Sequence, residues 1–352
     1  MSSIPAPVTL ACQAMATRFE IVLHGDNPVA LRAAGEEALA EIERVESQLS
    51  LYRNTSEIAH VNARAARESV RVSPALFRLL EQVRRLSADT GGAFDVTIGP
   101  LVRCWGFMGG TGRMPTPEAV EQARRAVGMN LVELDPDQCC VRFAREGVML
   151  DLGAVGKGYA IERAAELLRE AGVTSAILHG GTSTVQALGH PPGAAAWHVA
   201  IERPPESWPG LPTVPAAPDS FPKPSAVEPP TAPRPRQGVP ESRPALLAVV
   251  PLQDEALSVS AVWGRSFQSG QRSYGHVLDP RTGQPTEAAL LSAVIVPSAT
   301  ESDALSTALL ALGPAGLESI AGLRSGCRTL VVSHREGRLE AATMGIECLS
   351  NL

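Results

Sequence analysis

Asp151-Leu152-Gly153-Ala154-Val155-Gly156-Lys157-Gly158-Tyr159 is the stretch whose reading decides the fold. A short apolar run, Gly147 to Leu152, leads into it, and apolar residues recur after it at Ile161, Ala164, Ala165 and Leu168 until Ala171-Gly172. The spacing predicts a strand, a turn over Gly153 to Gly158, and a helix from Tyr159. Such a junction aims backbone N–H groups and the positive end of a helix dipole at one point. Lys157 is one of only two lysines in the 352-residue chain, among 31 basic side chains. A compact ammonium on a flexible stem, set among small residues, suits a phosphate oxygen. A solitary lysine on a helix surface is the plainer alternative. Neither GxxxxGK[ST] nor GxGxxG occurs, so the common nucleotide folds gain no support.

Outward from this stretch, Arg18 to Leu23 alternates as a strand does. Ala30 to Ser50 and a segment from Pro74 carry apolar residues at helical spacing. Further strand signals fall at Ser175–His179, Trp197–Ile201, Ala245–Val250, Leu290–Val296 and Thr329–Ser333. Strands so intermixed with helices predict an α+β fold, with mixed or antiparallel sheets flanked by helices. Residues 203–244 differ in kind, holding fourteen of the twenty-nine prolines. This composition predicts a disordered or polyproline-like loop inserted into a hairpin, within a single domain spanning 1–352. A docking motif at Pro-Arg-Pro-Arg is the sharper alternative.

A hydrophobic share of 44% supports a sizeable core, and a formal net charge of −6 with scattered arginines argues against a nucleic-acid partner. Six cysteines without a CxxC pair read as reduced, mostly buried thiols and point to the cytoplasm. The opening residues lack the features of an export signal, and no segment is read as a membrane span or anchor.

Three further stretches could carry chemistry. Thr300-Glu301-Ser302-Asp303 before Ala304 has the form of a capped helix start, with Asp303 as a possible cap. Asp303 and Thr307 are also four apart, so carboxylate and hydroxyl share a helix face and offer two hard oxygen ligands to Mg2+. His276 precedes a tight Asp279-Pro280-Arg281-Thr282-Gly283 turn, where an imidazole could serve as general base. Asp95 in Ala93-Phe94-Asp95 could bind a ring or ribose, or cap the turn before Gly99-Pro100.

Taken in order, these blocks resemble the ApbE-type FAD:protein FMN transferases. The resemblance runs through Ala14-Met15-Ala16-Thr17, Leu49 to Arg53 with Ser56-Glu57-Ile58 and Asn62, and Gly91 to Asp95 with Gly99 to Val102 and Trp105-Gly106. It continues through Asp151 to Tyr159, His276 to Gly283 and Ser302 to Ala308, covering nearly all of the chain except the proline-rich insert. It implies an ApbE-like flavin transferase fold and transfer of FMN from FAD to a Ser or Thr hydroxyl of an acceptor protein, a redox-complex subunit, with release of AMP. By the same resemblance Met15, Tyr52, Ala93, Phe94, Asp95, Asp151 and Val277 line the FAD site and Lys157 meets its phosphates. Mg2+ is held by the Ala154 carbonyl, Asp303 and Thr307, and His276 accepts the proton of the acceptor hydroxyl.

Two stretches depart from the family pattern. Gly-Gly-Asp is replaced by Gly180-Gly181-Thr182, which exchanges an acid for a hydroxyl while keeping the backbone turn. Thr-Ser-Gly is replaced within Ser258-Val259-Ser260-Ala261, narrowing the pocket by one methyl group. An Mg2+-dependent FAD pyrophosphatase and a non-catalytic FAD-binding protein are the alternative functions. Retention of His276, Asp303 and Thr307 together favours catalysis over storage.

Overall fold

The structure, a computed structural model, describes residues 5–205, 245–270, 272–335 and 338–349. Among them, eight strands form one sheet in chain order: β1 (Val8–Ala14), β2 (Thr17–Leu23), β3 (Ala176–Gly180), β4 (Thr184–Leu188), β5 (Ala256–Ala261), β6 (Leu291–Val296), β7 (Arg328–Arg335) and β8 (Arg338–Met344). Every neighbouring pair is antiparallel. Both faces are covered, and the period-2 alternation of the strands sorts their side chains between the two. Ile177, Val185, Leu257, Ala293, Ile295 and Leu330 join one core with the hairpin Trp197–Glu202/Leu246–Leu252. Leu178, Ala256, Val294, Val296 and Val331 join the other, beneath the helices. A strand covered on both sides reads as a nearly unbroken apolar run, as the fully buried β6 does, its one polar residue, Ser292, donating to the Ser306 carbonyl.

The helical layer consists of α1 (Pro28–Leu49), α2 (Pro74–Asp89), α3 (Gly156–Glu170) and α4 (Ala299–Leu312). α3 lies between α1 and α4, and α4 rests on β5 and β6. α3 packs tightly on α4 at Gly158. A Cβ there would stand 2.2 Å from the Ala299 carbonyl oxygen and 2.7 Å from the Asp303 Cβ. Neither is the tip of a flexible side chain, so Gly158→Ala should force the helices apart and cost roughly 1–3 kcal/mol. A denaturation midpoint unchanged from the parent would refute that packing.

Several expectations need correction. Residues 147–152 are not a strand: Val148 to Leu150 and Leu152 are buried, yet the segment pairs with no sheet. The Asn62 side chain takes the place of a neighbouring strand, accepting from the Leu150 N–H (2.8 Å) and donating to the Leu150 carbonyl (2.9 Å). The helix begins at Gly156 rather than Tyr159, which places Lys157 in its first turn. Asp303 does not cap its own helix. Ser298 does, accepting from the Glu301 N–H, and Asp303 lies a turn further in. Five of the six free cysteines are only partly buried, with Cys140 alone fully so. Ala299–Gly322 is also long and apolar enough to cross a bilayer by length and composition. It breaks at Gly313-Pro314, where Gly313 has φ +66°, and eleven of the fourteen α4 residues are buried in the protein core.

The strands Trp197–Glu202 and Leu246–Leu252 pair as the two sides of a hairpin, as expected. Nearly all of the proline-rich insert joining them, 206–244, lies outside the described residues.

Candidate functional site

One cavity of about 2130 Å³ is lined by the helical layer, the β1–β2 turn, the segment 259–280 and the hairpin residues 197–205 with Ala245. Met15, Tyr52, Ala93, Phe94, Asp95, Asp151, Ala154, Lys157, His276, Val277, Asp303 and Thr307 all line it.

Asp303 and Lys157 are brought together where α3 meets α4. Val155 occupies the N-cap of α3 without a side-chain cap bond, leaving N–H groups of the first turn unpaired along the helix. Asp303 Oδ2 accepts one of them, from Gly158, at 2.9 Å. The Gly156 N–H is bonded to the Leu152 carbonyl at 2.8 Å. Two backbone donors of the turn are therefore already used, and Lys157 with the helix dipole remains to attract an anion.

Burial pushes the Asp303 carboxyl above its usual range, although the Lys157 charge, the Gly158 N–H and the Thr184 hydroxyl all favour the ionised form. The Thr307 hydroxyl donates to the Asp303 carbonyl (3.2 Å), leaving its oxygen lone pairs as acceptors. No group of three or more His, Cys, Asp or Glu gathers among the described residues. The Ala154 carbonyl, the Asp303 carboxylate and the Thr307 hydroxyl line the same cavity and are hard oxygen donors of the type that suits Mg2+.

His276 is held in one orientation. The Arg265 carbonyl lies 3.0 Å from its backbone N and 3.1 Å from Nδ1. A carbonyl only accepts, so Nδ1 carries the proton and Nε2 is left as the basic nitrogen. Burial, followed by the nearby charges of Arg265 and Lys157, lowers the imidazole pKa below its ordinary value. The turn beyond it is fastened by Arg281, whose backbone N–H and guanidinium both donate to Asp279, and by the Trp105 indole N–H on the Gly283 carbonyl (2.8 Å).

Asp95 caps the turn before Gly99-Pro100, one of the two readings its place allowed. Its carboxylate accepts from the Thr97 N–H and hydroxyl, the Ser87 hydroxyl and the Met129 N–H. Four donors within the protein occupy it, so it braces the wall behind Ala93 and Phe94. Asp151 accepts from the Gly153 N–H at 2.9 Å, and burial raises its pKa.

Met15 and Ala16 form the two-residue turn between β1 and β2, with φ of 50° and 56°. Both are left-handed, a conformation that costs an L-residue roughly 1–2 kcal/mol.

At the first departure Gly181 keeps the turn, with φ +63°, and Thr182 and Ser183 face the cavity. At the second, the Ser260 hydroxyl lies 2.8 Å from that of Ser306 and 3.4 Å from that of Thr307, and Ala261 forms part of the wall. Sequence reading missed Glu46, Thr184 and Arg265, and gave Asn62 no role. Glu46, Thr184 and Asn62 act through partners distant in sequence, and Arg265 acts through its backbone carbonyl eleven positions from His276.

Comparison with known proteins follows the same lines. The model of the ApbE family matches residues 15–331. An FAD:protein FMN transferase of Klebsiella pneumoniae is 25% identical over 329 residues, covering 92% of this chain and 83% of that protein. One from Rhodobacter capsulatus is 32% identical over 256 residues, covering 71% of this chain and 41% of that protein. The crystal structure of the Pseudomonas stutzeri flavinyl transferase ApbE superposes with a TM-score of 0.75 at 26% identity, covering 98% of this chain and 96% of that one. The ApbE protein of Thermotoga maritima superposes at 0.76 with 24% identity over 95% and 96% of the two chains. With its blocks gathered on one cavity and a family match over most of its length, the chain belongs to the ApbE family.

Proposed function

We propose that this chain is an FAD:protein FMN transferase, which moves FMN from FAD to a Ser or Thr hydroxyl of an acceptor protein, releases AMP and requires Mg2+. The observation that carries the reading is convergence: twelve residues assigned from segments between positions 15 and 307 line one cavity. The names of the relatives support flavin transfer, and the donor chemistry of the site supports the finer steps.

Mg2+ bound by the Ala154 carbonyl, Asp303 and Thr307 would neutralise charge on the pyrophosphate and on departing AMP. Lys157, at the positive end of α3, holds the same phosphate oxygens. His276 Nε2 takes the proton of the acceptor hydroxyl, while the Arg265 carbonyl keeps the ring in the required tautomer. The hydroxyl oxygen bonds to the FMN phosphorus, the bond from that phosphorus to the bridging oxygen breaks, and AMP leaves with that oxygen. Tyr52, a residue 66% exposed at the cavity, offers a ring face for a ring of FAD.

The test is acceptor dependence. With FAD and Mg2+, AMP should appear in step with flavin bound to the acceptor and stay near background without acceptor. Equal AMP in both cases, accompanied by free FMN, would make the protein a pyrophosphatase. Unchanged FAD would make it a binding protein.

A further inference from the structure

We infer that Glu46 is a positioning residue for the flavin donor, its carboxylate tying together the two stretches of cavity wall that carry Met15 and Tyr52. The inference rests on the FAD reading above and adds a residue to it. Glu46 lies near the end of α1 and itself lines the cavity. Oε1 accepts from the Met15 N–H at 2.7 Å, and Oε2 accepts from Arg53 Nη2 at 3.1 Å.

The two arms do different things. Met15 is the first residue of a two-residue hairpin turn, a position whose N–H lies outside the strand ladder. Glu46 supplies that N–H with an acceptor, and so holds the backbone in the left-handed region that Met15 and Ala16 would otherwise leave. Arg53 follows Tyr52 in a short loop that the Ser56 hydroxyl closes onto the Ser50 carbonyl at 2.6 Å. Its contact with Glu46 sets that loop against the β1–β2 turn. An exposed ion pair would be worth little by itself, and Arg53 is half exposed. What distinguishes Glu46 is the second bond, to the backbone of a strained residue facing the cavity.

The test is titration of FAD fluorescence with the full chain, together with steady-state kinetics. Glu46→Ala should weaken FAD binding about tenfold while kcat at saturating FAD falls no more than about twofold. Glu46→Gln keeps an oxygen for the Met15 N–H and should lose less. Adding Ala16→Gly to Glu46→Ala should restore most of the affinity, because glycine adopts positive φ without a Cβ penalty. Arg53→Met, at a half-exposed site that leaves folding undisturbed, should weaken binding through the second arm alone. Unchanged FAD affinity in Glu46→Ala, a fall confined to kcat, or no recovery with Ala16→Gly would each overturn the assignment. Failure of the parent protein to bind FAD would instead remove the flavin reading on which it rests.

Discussion

Asp303→Asn is expected to lower Mg2+-dependent flavin transfer by on the order of 10²–10³-fold, the scale of losing one electrostatic stabiliser of developing charge. Asparagine keeps the shape of the side chain and an oxygen for the Gly158 N–H, so α3 and α4 should stay in contact. What it removes is the charge. The folded protein raises the pKa of this carboxyl, so as pH rises past the ordinary carboxylate range the group contributes increasingly against folding while no cation is bound. The metal-free variant should therefore melt at the same temperature as the parent or higher, while losing activity. Stability gained together with function lost marks a residue kept for chemistry. Full activity in Asp303→Asn would reduce Asp303 to a cap for α3.

His276→Ala should lower kcat by roughly 10²–10⁴-fold, the usual contribution of a positioned general base, with little change in FAD affinity. The pH profile gives an independent check. The base must be neutral, and its pKa is lowered by burial and by the neighbouring charges of Arg265 and Lys157. The acid limb of kcat/KM should thus lie below the ordinary histidine value of about 6.5, leaving activity flat through neutral pH. A limb above that value, or one that persists in His276→Ala, would assign the base elsewhere.

Much of this was legible in the sequence because it is written in local pattern. Alternation in Arg18–Leu23 and the apolar run Leu290–Val296 marked strands of the central sheet, and the gap between Trp197–Ile201 and Ala245–Val250 marked a hairpin with an insert. The start of α4 was also open to reading, since Ser298 and Glu301 stand at capping-box spacing, but Asp303 offered a competing cap. Residues 147–152 could not be read correctly, because what replaces their sheet partner is the side chain of Asn62, eighty-eight positions from Leu150. The roles of Glu46 and Arg265 were hidden for the same reason: one supports Met15 from thirty-one positions away, the other orients His276 through a backbone carbonyl. Asp95 shows the converse. Its type and place allowed a ligand contact or a turn cap, and four internal donors, the capping Thr97 N–H among them, hold its carboxylate.

The central claim is that one cavity holds both FAD and the hydroxyl that receives its FMN. Intact-mass measurement of an acceptor protein incubated with this chain, FAD and Mg2+ tests it most directly, with fragmentation to locate the modification. The account predicts an added mass of one FMN less one water, carried on a Ser or Thr and absent with His276→Ala or Asp303→Asn. An unmodified acceptor beside accumulating free FMN and AMP, or a label that forms equally well with both variants, would contradict it.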